Sequence, residues 1–257
     1  MDLERITSLS LTQLIELTRQ VRILMGDVAK PGGRPACIDL TRSVALVVYL
    51  LRHNVTQDAA GAVFDVSQAT VSRRWDKLRR VIGAALHSFI PDPARQIGRG
   101  TVLVDGTLAP TWNWKAAEGM YSGKRKTTGF NIQVACDLDG RVVAIGKEPV
   151  PGARHDAHAF HASGLADQIA GLHRGGDSGY QGHADIVPAK KPRGRKLTAE
   201  QKQNNREINS IRAAVERAIA HVKAWRICSS RYRGPLAKFP EVLTAIIGLH
   251  FFKGTYE

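Results

Sequence analysis

Three acidic residues that lie far apart in the sequence, Asp105, Asp177 and Glu216, occupy positions where carboxylates can do chemistry. Asp105 follows the apolar, β-branched run at residues 101–104, so we expect it at the C-terminal tip of a buried strand. Asp177 follows two glycines where another strand is expected to end. Strand tips in α/β sheets face the crevice in which ligands bind. Taken alone, the Asp-Gly at residue 105 is equally typical of an aspartate that caps a turn.

Glu216 lies in a predicted helix over residues 207–226, in which apolar residues recur at helical spacing and form one stripe. Arg212 precedes Glu216 by one turn and Lys223 follows it by two, on a face beside that stripe. An isolated Arg–Glu pair on a helix surface contributes only a few tenths of a kcal/mol. A functional interpretation of Glu216 therefore depends on the two aspartates.

The composition indicates a polyanionic partner. The 257 residues carry a formal net charge of +14, and nucleic acid is the usual partner of a chain this basic. Three cysteines without a CxxC motif argue against a disulfide framework or a zinc knuckle and fit a reducing cytosol. The sequence shows neither a signal-peptide pattern nor a membrane-spanning run. We expect a cytoplasmic, nucleoid-associated protein with no membrane partner.

An all-α domain is predicted over residues 1–95, with a helix-turn-helix at about 56–80. Ala59 and Ala60 would let the second helix approach closely, and Val66 would fill the turn. The alternative is a plain helical hairpin with a basic face. The exposed side chains expected to contact base edges and phosphates of double-stranded DNA are those of Gln68, Thr70, Ser72, Arg73 and Arg74.

The remainder of the chain is predicted to form a second domain, α/β in class, over residues 96–257. A linker with two prolines and two glycines is expected at 87–100. Alternating apolar and polar residues at 129–136, a turn and a returning run at 141–146 predict a β-hairpin. A basic insertion at about 188–206 is expected to be flexible and to contact nucleic acid.

Two further polar segments have simpler interpretations. The basic run Lys124, Arg125 and Lys126 lacks the spacing of a phosphate-binding loop and is interpreted as a contact to the DNA backbone. The helix predicted to start near residue 155 carries three histidines, but their spacing drifts around the helix, so zinc is not expected. Asp156 at its start is explained by helix capping, and a supporting role in the acidic site stays open.

Together the motifs resemble those of DDE transposases of bacterial insertion sequences, in the branch related to Harbinger-type transposases. They are Val-Asp-Gly-Thr at Asp105, Gly-Asp-Ser-Gly-Tyr-Gln-Gly at Asp177, and Arg-x-x-x-Glu-x-x-x-x-x-x-Lys at Glu216. The family's helix signature begins with Tyr, where this chain has Asn209. That difference removes any role for a tyrosine at this position and leaves the carboxylate in place.

The resemblance implies a ribonuclease H-like fold with the two aspartates on strands and the glutamate on a helix beside the sheet. It also implies a Mg²⁺ (or Mn²⁺) cofactor of two ions, roughly 4 Å apart, that activate water and stabilise the leaving 3′ oxygen. We expect Asp105 to bridge both ions, with Asp177 and Glu216 each holding one. Arg212 and Lys223 would position Glu216 or hold DNA phosphate.

The function that the resemblance implies is that of a transposase. Such an enzyme binds terminal inverted repeats, cleaves the DNA strands and joins the 3′ ends to target DNA, acting as a dimer or larger assembly on DNA. Two alternatives stay open: a metal-dependent endonuclease that cuts without joining, and a non-catalytic DNA-binding regulator derived from a transposase. All three acidic positions are filled, which argues against the regulator.

Overall fold

The computed structural model of the chain describes residues 2–26, 37–98, 100–112, 117–191, 194 and 196–256. Its helices are α1 (Leu3–Thr7), α2 (Leu11–Met25), α3 (Leu40–His53), α4 (Gln57–Phe64), α5 (Gln68–Ala85), α6 (Pro93–Ile97), α7 (Asp156–Ala162), α8 (Leu165–Gln168), α9 (Ala199–Lys223), α10 (Arg226–Ser229) and α11 (Phe239–Gly254). Its strands are β1 (Thr101–Pro110), β2 (Tyr121–Ser122), β3 (Thr127–Cys136), β4 (Val142–Ile145), β5 (Val150–Pro151) and β6 (His173–Gly175).

The chain divides into two units. The helical unit comprises Met1–Ile90, Trp225–Ser230 and Gly234–Glu257, and the sheet unit comprises Pro91–Ala224 and Arg231–Arg233. The first break falls inside the linker expected at 87–100. At the C-terminus the structure differs from the expected division, because residues 234–257 pack with the helical unit and not with the sheet. No helix among the residues described is both long and apolar enough to cross a membrane.

In the helical unit, α4 and α5 are joined by a short turn that brings them close together. Ser67 caps α5, as the sequence predicts. The sequence places the close approach at Ala59 and Ala60, but Ala59 is exposed. The structure places it at Gly61, where a Cβ would lie 2.6 Å from the backbone oxygen of Val66. A glycine is therefore required at that position for α5 to begin where it does.

Helix α11 packs along α5 within the helical unit. Two glycines permit this approach, since a Cβ on Gly83 would lie 3.0 Å from Thr244 Cγ2, and one on Gly248 would lie 2.7 Å from Leu86 Cβ. α11 is apolar on most sides and buries residues along its whole length. This packing explains why the C-terminal segment joins the helical unit.

A fully buried arginine links the same two helices. Arg79 of α5 has no exposed surface. Its Nε donates to Glu241 Oε2 on α11 at 2.8 Å, and its Nη1 donates to Asp76 Oδ1 at 2.5 Å. The guanidinium also lies 5.7 Å from the centroid of the Trp75 ring. These partners offset the cost of burying the charge, although the Arg79 Nη2 is left without a hydrogen-bond partner among the described atoms.

The sheet unit is built around β1. β1 is antiparallel to β3 and parallel to β6, and β2, β4 and β5 pair with β3. The β3–β4 pairing confirms the predicted hairpin. β1 runs on through Gly106 to Pro110, so Asp105 lies inside a strand. The expectation that Asp105 lies at the C-terminal tip of the strand is therefore wrong, and so is the alternative that it caps a turn.

Helices cover this mixed sheet, so the α/β prediction is confirmed, while the ribonuclease H-like topology stays a prediction. Phe160, Leu165 and Ile169 of the α7–α8 region form a buried cluster with Val102 and Val104 of β1. Val104 and Asp105 are neighbours in a strand, so their side chains point to opposite faces.

Helix α9 is longer than the sequence predicts. It begins at Ala199, after a capping box formed by Thr198 and Gln201. The second half of the insertion expected at 188–206 is therefore helical and not flexible, because the capping box starts the helix well before residue 207. Residues 192, 193 and 195 of that insertion lie outside the described residues. α9 buries Ala214 and Val215 against the sheet.

Candidate active site

The two aspartates predicted to act together lie at the same level of the sheet. β1 and β6 are parallel, and Leu103 is in register with Gly175. Asp105 and Asp177 each follow one member of that pair by two residues. Because parallel strands advance together, the two carboxylates leave adjacent chain segments at the same edge. The structure thus brings together the first two residues of the predicted site.

Arg212 of α9 forms an ion pair with the first of these aspartates, Asp105. Its Nη2 lies 3.5 Å from Asp105 Oδ2, and the two side chains are 22% and 20% exposed. The Arg212 Nε is buried and has no hydrogen-bond partner among the atoms that the structure describes. Arg212 is therefore only partly satisfied, although it faces a carboxylate.

The electrostatic balance at Asp105 favours a bound cation. Burial raises the pKa of Asp105, and the charges of Asp177 and Asp156 raise it further. The N–H of Gly106, which donates to Asp105 Oδ1 at 2.8 Å, and the charge of Arg212 lower that pKa without cancelling the increase. A carboxylate with a raised pKa is short of positive charge, which is the condition that a metal ion relieves.

Glu216 is not brought into contact with the aspartates. It is exposed and lies one turn after Arg212 on the same helix, so the two side chains share a face. No three His, Cys, Asp or Glu side chains among the described residues are close enough together to hold a metal ion. Lys223 ends α9, two turns beyond Glu216. The full three-carboxylate site stays a prediction.

The donor chemistry of the site nevertheless fits a divalent cation. Asp105 and Asp177 offer hard carboxylate oxygens, which Mg²⁺ prefers. Asp105 also carries a raised pKa, and it forms an ion pair with the Arg212 guanidinium 3.5 Å away. A metal ion could replace that guanidinium at the carboxylate.

Asp156 is held beside the two aspartates by a chain of polar side chains that the sequence did not reveal. Asn131 Nδ2 donates to Asp156 Oδ1 at 2.9 Å, and Gln133 Nε2 donates to Asn131 Oδ1 at 2.8 Å. Tyr180 Oη donates to Gln133 Oε1 at 2.6 Å. The available signal was the alternation of β3, which places Asn131 and Gln133 on one face of the strand.

The basic run at residues 124–126 lies in the turn between β2 and β3, and all three side chains are exposed. Lys124 Nζ reaches to 4.0 Å from Asp156 Oδ2. Within the described part of the chain, no ion pair joins the side chain of Arg125 or Lys126 to an acidic residue. The turn therefore places one cation next to the acidic residues and leaves two more on the surface.

The side chains predicted to read DNA differ in exposure along α5. Gln68 and Arg73 are exposed, and Ser72 and Arg74 are partly buried. Thr70 is only 7% exposed, so the expectation that it is an exposed contact residue is wrong. Its hydroxyl lies 3.1 Å from the capping Ser67 Oγ and accepts from Arg73 Nη2 at 3.2 Å. Its contribution is to position Arg73 and the start of α5.

Comparison with known proteins connects this geometry to a family. The profile described as "DDE superfamily endonuclease" matches residues 104–250. A Streptomyces albus G protein named "Putative transposase for insertion sequence element IS112" is 30% identical over 197 residues, which are 76% of this chain and 73% of that protein. A Microchaete diplosiphon protein named "Probable transposase for insertion sequence element IS702" is 26% identical over 274 residues, covering 97% and 96% of the two chains. No solved structure matches.

Proposed function

Because this chain belongs to the DDE superfamily endonucleases, as a transposase of an insertion sequence, we propose that it cleaves the DNA at terminal inverted repeats and joins the 3′ ends to target DNA. The observation that supports the proposal is that Asp105, within β1, and Asp177, two residues after the neighbouring parallel strand β6, are close enough for the charge of Asp177 to raise the pKa of Asp105. A DNA phosphate and a hard cation can both be held at such a site.

Endonucleases of this superfamily use divalent metal ions, and the residues proposed to hold them here are Asp105, Asp177 and Glu216. A bound Mg²⁺ or Mn²⁺ supplies charge stabilisation at the reacting phosphate and lowers the pKa of attacking water. Arg212 forms an ion pair with Asp105, and a divalent ion held by Asp105 would release it from that carboxylate. Once released, it is free to bind phosphate, and Glu216 lies one turn away on the same face.

DNA binding is proposed to use α5 and the basic turn at 124–126. Gln68, Ser72, Arg73 and Arg74 lie in the first two turns of a helix whose N-terminus is capped by Ser67. An arrangement of two helices with a tight turn is that of a helix-turn-helix, which reads the major groove. Two chains are proposed to act together, because an element has two ends. A nucleoid location follows from the same DNA affinity.

Strand cleavage tests the enzymatic part of the proposal. Full-length protein should nick a duplex that carries the terminal repeat in Mg²⁺ or Mn²⁺, and a chelator should stop the reaction. Asp105→Asn should reduce the rate by about a thousandfold or more, because the loss removes several kcal/mol of charge stabilisation. Nicking that persists in the chelator, or in Asp105→Asn at the parent rate, would refute it. Joined products on a target plasmid separate a transposase from an endonuclease that only cuts.

Salt dependence tests the DNA-binding part. Removing Arg73 and Arg74 together as alanines should weaken binding and reduce the slope of log affinity against log salt by about 2, since each arginine neutralises one phosphate. The matched control removes Arg5 and Arg22, two exposed arginines of the same unit. An unchanged slope for the first pair would move the DNA contact away from α5.

A further inference from the structure

Polar side chains run through the core of the sheet unit and end at the carboxyl of Asp156. Tyr180 and Gln133 have no exposed surface, and Asn131 is 7% exposed. Buried polar groups destabilise a fold unless every one of them has a partner. An apolar core would avoid this cost, so the presence of three such groups in a row indicates a task beyond packing.

In this series of buried side chains, every hydrogen bond is donated in the direction of Asp156. The Tyr180 hydroxyl donates to Gln133, the Gln133 amide donates to Asn131, and the Asn131 amide donates to Asp156 Oδ1. The series ends on a carboxylate, which as an ion can only accept. Asn131 thus fixes the orientation of the Asp156 carboxyl group, and Gln133 and Tyr180 in turn fix the orientation of the Asn131 amide.

Two glycines make room for that carboxyl beside the aspartates. A Cβ on Gly106 would lie 2.6 Å from Asp156 Oδ1 and 2.6 Å from Gln133 Nε2. A Cβ on Gly179 would lie 2.8 Å from Asp177 Oδ1 and 3.9 Å from Asp156 Oδ2. A side chain at Gly106 would therefore displace the Asp156 carboxyl group, and Gly179 lies next to the carboxylates of both Asp177 and Asp156.

We propose that Tyr180, Gln133 and Asn131 are positioning residues that hold the Asp156 carboxylate beside Asp105 and Asp177, where its charge increases the affinity of the site for a divalent cation. This inference rests on the proposed function, because it assigns a role at the same site. One Asp156 oxygen is engaged by Asn131. The other faces Gly179 and lies 4.0 Å from Lys124 Nζ, so it is open to the site.

Mn²⁺ binding to the full chain without DNA tests the inference, with free Mn²⁺ followed by electron paramagnetic resonance. Asp156→Asn keeps the shape and removes the charge, and it should raise the dissociation constant for Mn²⁺ about ten- to a hundredfold, the range for residues that support metal ligands. The matched control is Asp167→Asn, the same change at an exposed position of α8. It should bind Mn²⁺ as the parent does.

Tyr180→Phe tests the far end of the chain of hydrogen bonds. The ring keeps its edge-on contact with Phe160, 5.9 Å between centroids, and only the hydroxyl is lost. The variant should bind Mn²⁺ several-fold more weakly at a temperature where thermal unfolding shows it to be folded. A residue with a purely structural role would lower the unfolding temperature and leave the affinity of the folded protein unchanged.

The outcomes separate this inference from the proposed function. Parent protein that binds Mn²⁺, with Asp156→Asn binding as tightly as Asp167→Asn, overturns the inference and leaves the function intact. Parent protein that binds no Mn²⁺ overturns both. Should Asp156→Asn fail to fold, Tyr180→Phe decides, and parent-like affinity in that variant overturns the inference.

Discussion

The two units each bury charge, and they do so in opposite ways. In the helical unit a single cation, Arg79, is enclosed by two carboxylates and an aromatic ring. In the sheet unit the charges of Asp177 and Asp156 act on Asp105, whose ion-pair partner is Arg212 at 3.5 Å. In the first cluster each carboxylate has two cationic partners, Asp76 with Arg79 and Lys238 and Glu241 with Arg79 and Arg80, although the Arg79 Nη2 has no hydrogen-bond partner among the described atoms. The second has more negative charge than its own cations neutralise.

The pKa values follow that difference. Hydrogen bonds from Lys238 and Arg79 lower the pKa of Asp76. Burial raises the pKa of Glu241, but hydrogen bonds from Arg79 and Arg80 outweigh it, so the net shift is downward. Asp105 shifts upward. A carboxylate shifted downward by its partners stabilises the fold, while one shifted upward by burial and like charge marks a site that a ligand completes.

The largest effect is expected from breaking the cluster around Arg79. Arg79→Leu should lower the free energy of unfolding by about 3 kcal/mol, because it removes the shared partner of two carboxylates and the packing of a buried side chain. Arg80 is the matched control, since it contacts Glu241 Oε1 at 2.9 Å but its side chain is 62% exposed. Arg80→Leu should cost under about 1 kcal/mol. Equal losses in urea unfolding would show that the cluster is not special.

Replacing one aspartate of each cluster by asparagine should change the unfolding temperature in opposite directions. Asp105→Asn should raise the unfolding temperature by a few degrees, on the order of 1 kcal/mol, because it removes a charge that burial disfavours. Asp76→Asn should lower the unfolding temperature slightly, because its charge is favoured by Lys238 and Arg79. Differential scanning calorimetry of both variants at neutral pH checks the signs. Destabilisation by Asp105→Asn as large as that by Asp76→Asn would contradict the contrast.

The smallest expected effect is on the pH dependence of stability. The stability difference between each variant and the parent should disappear at a different pH. The raised pKa of Asp105 means that its contribution to stability is present below the unfolded value of 3.8 and is lost as pH rises through the folded pKa. The lowered pKa of Asp76 means that its contribution is present above 3.8 and is lost as pH falls through the folded pKa.

Acid titration of the same variants therefore has a definite order. On acidification, the Asp105→Asn and parent unfolding temperatures should begin to converge first, above pH 3.8, and should meet at about 3.8, because the carboxyl takes up its proton in the folded protein before it does so in the unfolded chain. The Asp76→Asn and parent values should converge only below 3.8. Calorimetry at a series of pH values from 6 to 3 measures both. Convergence in the reverse order would be inconsistent with the two clusters as described.

Much of the secondary structure of the sheet unit could be predicted, because it depends on residues that are close together in the sequence. The apolar run before Asp105, the hairpin after residue 129 and the stripe of α9 all follow from the periodicity of neighbouring residues. The sequence also placed Asp105 and Asp177 at strand ends, which holds for Asp177 after β6 but not for Asp105, which lies in the middle of β1. Glu216 was predicted on the correct helix, but its approach to the aspartates is not present in the structure.

The remainder depends on contacts between distant residues. Arg79 could not be recognised as buried, since its partner Glu241 is far away in the sequence and charged residues are usually exposed. Thr70 was predicted to be exposed from its type and place in the helix, but its side chain is buried and its hydroxyl lies 3.1 Å from Ser67 Oγ. The link from Tyr180 to Asn131 needs the register of β3 as well as the position of the turn after β6.

The interruption of the helical unit by residues 91–224 has a consequence for how the protein is made. A growing chain leaves the ribosome from its N-terminus. α5 is therefore synthesised long before α11. Arg79 can form its ion pair with Glu241 only after residues 91–224 of the sheet unit have been translated. α5, which is proposed to bind DNA, therefore reaches its final packing only after the residues proposed to cleave DNA, Asp105, Asp177 and Glu216, have been synthesised.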